Sequence, residues 1–399
     1  MAADKVRSPV HGSASPGFEG VREAFLRNFT RRKELGAACC VYLNGQKVVD
    51  LWGGTRDRAS GLPWAEDTMT LVFSATKGMA ALVMALAHSR GWLDFDATVA
   101  SYWPEFAQQG KGRITVRQLL AHQAGLFGFD EPVDATVIAD LDRLAGVMAR
   151  QRPEWEPGTR QAYHAISLGF YEGELIRRVD PAHRTLGTVF QQDIANPLGE
   201  EFYLRLPATI PDARLAPLVL RNPFLNLLEL SPRVMLAALN KRSVLYRSVI
   251  ANPGTIVALD PVRVFARDLE VPSGGGVGTA RALAHAYGVL ADGGAALGIG
   301  AETLAALAAP PVPPRHGFHD ECLHGDLRFS LGFMRPSPDW SFGGPRSFGA
   351  PGAGGSFAYA DPDARLGYAY VCNRMGRSQD DPRDLALRAA VDASLAARW

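Results

Sequence analysis

The stretch FSATKGMAALVMALAH, Phe73 to His88, has the length and apolarity of a buried helix. Yet it opens on Ser74 and places Lys77 three residues later. Residues at i and i+3 share a helix face, so the two side chains meet on the first turn. A serine hydroxyl is a weak nucleophile at neutral pH until a base stands beside it. An ammonium held in an apolar site near the positive end of a helix loses proton affinity, which makes Lys77 a candidate base. The same N-terminus offers the Ser74 N–H to an oxyanion. The competing reading makes Ser74 a helix cap and lets Lys77 reach solvent along its aliphatic stem. Met79, Leu82, Val83, Met84 and Leu86 bury the helix in either case.

The chain around this helix has 399 residues, 47% of them hydrophobic and 21% charged, which suits a globular protein with a sizeable core. Its 42 basic and 41 acidic residues leave +1, too little positive field for a nucleic-acid or anionic-membrane partner. The opening MAADKVRSPVHGSASPG has no apolar run of the kind that directs secretion, and no later run is long enough to span a membrane. Cys39, Cys40, Cys322 and Cys372 are poorly laid out for a disulfide framework, so reduced, buried thiols in a cytoplasmic protein are expected.

Residues 1 to about 17, rich in Ser, Gly and Pro, read as a flexible N-terminal arm. Phe18 to Thr30 has helical spacing. Ala37 to Leu43 and Lys47 to Trp52 are β-rich runs around Asn44-Gly45, a dipeptide that favours a type I′ hairpin. From Gly91 to about Glu270 the pattern is mostly helical: ITVRQLLAHQAGL, DLDRLAGVMARQ, SLGFYEGELIRRV, and a Leu-rich stretch after Pro223. The glycine loop SGGGVG (273–278) opens another helix, TARALAHAYGVLADGG. SFAYAD and LGYAYVCN alternate as strands, and DPRDLALRAAVDASLAARW forms a last helix. Strands at both ends with helices between predict an α/β architecture of the α+β type. Residues 18–90 and 271–399 would form a discontinuous antiparallel-sheet domain flanked by terminal helices. Residues 91–270 would be a mostly helical insert, with the cleft at the junction.

Two further segments bear chemistry. In RPEWEPGTRQAYHAISLGFYEGELIRR, Tyr163 follows a Pro-Gly turn; a tyrosine beside a lysine ammonium can relay a proton as phenolate. In RSFGAPGAGGSFAYADP, Arg346 to Pro362, the bare backbone at Gly352 lets a substrate approach, and the loop can present a second N–H to an oxyanion. The flanking aromatics Trp340 and Phe348 are candidate pocket walls. Of the histidines His122, His164 and His285, read as structural, His164 is the one placed to line the cleft.

These three segments, in this order, resemble the serine β-lactamase and penicillin-binding protein superfamily, whose class A branch carries Ser-x-x-Lys and Lys-Thr-Gly motifs. The Tyr-led second motif is similar to the class C branch. Within it, SATKGMAAL, PGTRQAYHA and FGAPGAGGSFAYADP look most like the family VIII carboxylesterases, with LLAHQAGL, GGGVGTARALA and YVCNRMG as further matches. The resemblance implies a β-lactamase-like fold and an acyl-enzyme on Ser74. It implies that Lys77 and Tyr163 share the serine proton, with Tyr163 as base and then as acid. It places the oxyanion hole at the N–H groups of Ser74 and Ala353, the latter by matching APGA to Lys-Thr-Gly-x.

The chain departs from the lactamase pattern twice. Ala165 stands where class C lactamases have Asn, and Ala350 where the third motif begins with Lys. Each loss leaves a polar group of a β-lactam or peptide unpaired, a cost of about 1–3 kcal/mol. Small neutral carboxylic esters lose less, so a serine carboxylesterase is expected. A β-lactamase or DD-peptidase-like amide hydrolase, with Arg346 or Arg374 replacing the missing charge, is the alternative, beside an acyltransferase and a non-catalytic homologue. Gly-x-Ser-x-Gly is absent, which excludes an α/β-hydrolase elbow. HGFHDECLHGD supplies metal-ligand residue types within one short loop and no distant pair, so no metal or cofactor is expected. The partner is a small-molecule ester; self-association into a homo-oligomer stays open.

Overall fold

The computed structural model describes residues 10–220, 232–251, 267, 269–377 and 380–398. Its frame is an antiparallel sheet built from both ends of the chain, in the order β1-β3-β2-β12-β11-β10-β9-β8. The N-terminal part supplies β1 (Val10–Ala14), β2 (Gly36–Leu43) and β3 (Gln46–Asp57), with β4 (Leu62–Pro63) pairing β3 off this path. A small three-stranded sheet joins β5 (Thr70–Leu71), β7 (Val277–Gly278) and β6 (Phe202–Tyr203). The C-terminal part supplies β8 (Arg328–Ser330), β9 (Phe333–Arg335), β10 (Phe348–Pro351), β11 (Phe357–Asp361) and β12 (Leu366–Cys372). The junction of the two parts is the β2–β12 pair, where Cys40 faces Ala369. Asn44 (φ 50°) and Gly45 (φ 71°) turn β2 into β3 with the two positive φ angles a type I′ turn requires.

The helices that position the site are α1 (Glu19–Arg31), α2 (Thr76–Ser89), α3 (Ser167–Val179), α4 (Ala280–Ala291) and α5 (Pro382–Ala396). Period-two alternation sorts the sheet residues onto two unlike faces. Cys40, Ala358, Ala360, Ala369 and Val371 face the core shared with α2 and α4. Cys39, Val41, Phe357, Tyr359, Tyr368 and Tyr370 face the core shared with α1 and α5. The small face lets a helix lie very close: a Cβ on Gly367 would stand 2.2 Å from the Gly288 nitrogen and 2.3 Å from the Ala284 oxygen of α4. The large face fills the wider gap beneath the terminal helices.

Three expectations need correction. Val10–Ala14 is not a flexible arm but edge strand β1, paired from Val10↔Gly53 to Ala14↔Val49. Pairing of this kind uses only backbone groups, so a Ser/Gly composition does not forbid it, and Arg22 of α1 donates to the Val10 and Gly12 carbonyls at 3.0 and 2.9 Å. ITVRQLLAHQAGL is helical only over Val116–Leu120, because His122 takes a left-handed backbone (φ 60°) and breaks the run. Phe348–Pro351 is strand β10 rather than loop, so the third segment is a hairpin. The Leu-rich stretch after Pro223 lies partly outside the described residues; its described part includes helix Pro232–Leu239. Among the described residues no helix is long and apolar enough to cross a membrane.

Candidate active site

Ser74 lies on the 3-10 turn Phe73–Ala75, between β5 and α2, and remains partly exposed. The residue before it, Phe73, takes a left-handed backbone (φ 47°), which a bulky L-residue adopts only at a cost of about 1–2 kcal/mol. The surroundings hold it there. The Thr76 hydroxyl and N–H both donate to the Phe73 carbonyl, and the Gly276 N–H donates to the Thr76 hydroxyl at 2.9 Å. Val72 N–H donates to the Gly276 carbonyl at 3.0 Å. The glycine loop 273–278 is therefore the clamp that fixes the serine turn. Ser74 makes no side-chain cap to α2, which removes the capping reading.

Lys77 does not reach solvent either: its exposure is 3%. Its Nζ stands 3.2 Å from Ser74 Oγ, 2.6 Å from the Ala165 carbonyl and 2.8 Å from the Ser273 carbonyl. Burial pulls the amine down to about 7, against a smaller opposing pull from Glu172. Carbonyl oxygens only accept. A neutral amine in this cradle must spend its two N–H bonds on Ala165 and Ser273, which leaves its lone pair for the Ser74 hydroxyl. The three contacts thus convert a lowered proton affinity into a directed base.

Tyr163 arrives on a segment fixed through its backbone. The Ala162 N–H donates to the His122 carbonyl at 3.1 Å, and the His164 N–H to His122 Nδ1 at 3.0 Å. Ser248 Oγ donates to the Tyr163 carbonyl at 2.8 Å and accepts the Ala165 N–H at 3.1 Å. The ring stacks on Phe329 with centroids 5.8 Å apart, and Lys77 Nζ lies 4.8 Å from its centroid. Burial pushes the phenol above its ordinary range, and its interaction with Ser74 offsets only part of that. Burial therefore works against the phenolate that the sequence suggested for Tyr163 and toward the free amine of Lys77.

The β10–β11 hairpin closes the site. A Cβ on Gly352 would stand 2.1 Å from the Val72 carbonyl and 3.4 Å from the Ala75 nitrogen, so only glycine lets the hairpin touch the serine turn. Gly352 N–H donates to the Ser356 carbonyl at 2.7 Å, leaving Ala353 exposed at the tip. Neither the Ser74 N–H nor the Ala353 N–H is taken up by a backbone acceptor among the described residues. Ala350 is buried beneath α2, facing Gly78. Arg346 pairs with Asp363 at 2.7 Å and Arg374 donates to the Lys33 carbonyl, so each guanidinium already has a partner.

Three expected binding residues do not line the site. His164 is fully buried: its Nδ1 bonds the Ala162 carbonyl at 2.6 Å, and its Nε2 accepts the Leu126 N–H at 3.1 Å. With both nitrogens committed and burial holding it down to about 4, it is a neutral structural histidine. Trp340 packs on Phe357 at 5.5 Å in the core under the terminal helices. Phe348 packs on Phe333 at 5.0 Å in the core shared with α2. Both aromatics belong to the sheet's packing rather than to a pocket. Among the described residues, His316, His319, Cys322 and His324 form no group able to hold a metal ion.

The sequence reading missed three contributors: Ser248, Ser273 and Glu172. Ser248 bridges the backbone of Tyr163 and Ala165 and carries no motif, while Ser273 opens the glycine loop SGGGVG and acts through its own carbonyl. Glu172 did have a signal. Leu168, Gly169, Leu175 and Ile176 sit at i±3 and i±4 around it, which places a carboxyl on the apolar face of α3.

Comparison with known proteins returns one consistent answer. The Beta-lactamase family model matches residues 22–393. Esterase/beta-lactamase LipL of Mycobacterium tuberculosis is 35% identical over 375 residues, covering 92% of this chain and 83% of that protein. The crystal structure of a family VIII carboxylesterase is similar with a TM-score of 0.84 and 36% identity, covering 97% of this chain and all (100%) of the other. A penicillin-binding protein homologue from Caulobacter crescentus follows with a TM-score of 0.83, 35% identity and the same coverage.

Proposed function

Because the chain belongs to the beta-lactamase family, we propose that it is a serine carboxylesterase that hydrolyses small neutral esters through an acyl-enzyme on Ser74. The observation that carries this reading is the Lys77 cradle, where two carbonyls leave one lone pair for the Ser74 hydroxyl. As Ser74 Oγ attacks the ester carbonyl, its proton passes to Lys77. The N–H groups of Ser74 and Ala353 hold the oxyanion. When the tetrahedral intermediate collapses, the Tyr163 phenol protonates the leaving alkoxide, and the Lys77 ammonium restores the phenol. Water then attacks the acyl carbon, giving its proton to the same pair, and Ser74 recovers its proton as the acid departs.

Ala165 and Ala350 support the ester over a β-lactam, since neither offers a polar partner to an amide or a carboxylate. The engagement of Arg346 and Arg374 elsewhere points the same way. The test is Ser74→Ala assayed on a short p-nitrophenyl ester, with intact mass after a brief ester pulse on the wild type. We expect turnover to vanish while the fold persists, and one acyl group to appear on the Ser74 peptide. Undiminished turnover in the variant would refute the assignment, and nitrocefin consumed faster than esters by the same preparation would put the amide-hydrolase reading first.

A further inference from the structure

Beneath the nucleophile lies a carboxyl group that nothing in the reaction just described uses. Glu172 has 0% exposure, and neither of its oxygens has a hydrogen-bond partner among the described residues. It projects from α3 toward α2. A Cβ on Gly332 would stand 3.2 Å from Glu172 Oε1 and 2.7 Å from the Ala81 methyl, so the carboxyl lies beside Ala81, one helical turn along α2 from Lys77. On its own helix it lies one turn beyond Gly169, whose N–H donates to Ser273 Oγ, the residue whose carbonyl holds the Lys77 amine. The two helices thus run side by side with the amine at one level and the acid at the next. A second unpartnered group, the Tyr287 hydroxyl of α4, borders the same stretch of α2 at Gly78.

An unpartnered buried carboxylate is expensive, and one with a buried ammonium nearby less so. We propose that Glu172 and Lys77 act as one proton-sharing pair, with Glu172 the positioning residue that sets when Lys77 is free to take the Ser74 proton. This rests on Ser74 and Lys77 having the roles proposed above. The groups that face the pair are Tyr163, His122 and His164 from the segments over Lys77, and Tyr287 from α4. Burial holds the two histidines down and the two phenols up, so all four are neutral near pH 7. Lys77 is the charge that acts on Glu172, and Glu172 the charge that acts on Lys77. Burial raises the acid to about 8 while it lowers the amine to about 7. Around neutrality the pair therefore holds a single proton, and with that proton on Glu172 the amine is free. An ionised Glu172 would instead stabilise the ammonium and silence the base.

The test compares wild type with Glu172→Gln, using the pH dependence of Ser74 labelling by a fluorophosphonate probe and of thermal unfolding. Gln keeps the shape and cannot ionise, so no carboxylate supports the ammonium. We expect the acid limb of labelling to move to lower pH by on the order of one unit, about tenfold faster labelling at a pH below the limb. Glu172→Asp should restore much of the wild-type limb. Unfolding gives a readout independent of Ser74. A carboxyl raised in the folded state loses stability as pH climbs from its unfolded value toward its folded one. Wild type should therefore lose Tm relative to Glu172→Gln between about pH 5 and 8. Should Gln not fold, Glu172→Leu, matching its neighbours Leu168 and Leu175, serves the same comparison. Coincident limbs with a flat Tm difference overturn the pairing and leave the Ser74 reading intact. A Tm difference that opens with pH in a protein the probe does not label overturns the Ser74 reading and leaves the pairing standing.

Discussion

A buried lysine amine ringed by acceptors has two ways to satisfy them, and protonation decides between them. As an ammonium, Lys77 gives a proton to each of Ala165, Ser273 and Ser74; as a free amine it keeps the two carbonyls and turns its lone pair on the hydroxyl. Burial sets the crossover at about 7, so kcat/KM for an ester should fall as pH drops below that value, when the ammonium can no longer accept. Lys77→Met should cost about 10²–10⁴-fold in kcat/KM at every pH, read from steady-state rates, because among the described residues Lys77 is the one amine bonded to the Ser74 hydroxyl. The neutral phenol of Tyr163 makes a sharper forecast. Tyr163→Phe keeps the stacking on Phe329 but loses the hydroxyl proposed to protonate the leaving group. An alkyl ester, whose alkoxide needs that proton, should suffer far more than a p-nitrophenyl ester, whose phenolate leaves without it; equal losses on both would assign Tyr163 another role. At this scale Ser74, Lys77 and Tyr163 were legible as residue types in order. The proton affinities of the amine and the phenol were not, since they depend on which carbonyls surround the one and on the burial of the other.

The elements around the site are held by close approaches that only glycine permits. Gly352 brings the β10–β11 hairpin against the serine turn, and a methyl there would meet the Val72 carbonyl. Gly352→Ala should therefore shift the N–H groups proposed to hold the oxyanion and lower kcat by about 10²-fold, with circular dichroism unchanged. Gly367→Ala acts on the other side of the sheet, where α4 lies against the small-residue face. It should leave the rate nearly unaltered and lower stability by about 1–3 kcal/mol, measured by the urea midpoint. The sequence marked these segments as glycine-rich without saying which glycines are contacts. Trp340 and Phe348 misled for a related reason: proximity to a motif along the chain says nothing about which side of a strand a ring occupies. The edge strand Val10–Ala14 was hidden because its composition carries no strand signal while its backbone pairs fully.

For the whole molecule, the strands at both ends of the chain did foretell a shared sheet, and the comparisons agree with the family those motifs resembled. What pattern alone did not reveal is how the ends are locked. Arg383 of α5 donates to Glu34 at 2.7 Å, to Asp381 at 2.8 Å and to the Gly354 carbonyl at 3.2 Å, tying the segment before β2, the last helix and the β10–β11 turn into one buried node. Arg383→Met leaves two buried carboxylates without their cation and should destabilise the protein by about 3–5 kcal/mol, seen as a large fall in Tm.

The thiols give this architecture a built-in reporter. Cys39 and Cys40 lie on β2, Cys372 on β12, and Cys322 against Ala162 and Phe127 behind Tyr163; all four are buried, and burial favours the protonated sulfur in each. An intact molecule should ignore iodoacetamide, since the thiolate is the reactive form. Alkylation at Cys322 alone would time the breathing of the pocket wall, and simultaneous modification of all four would time the loss of the entire structure.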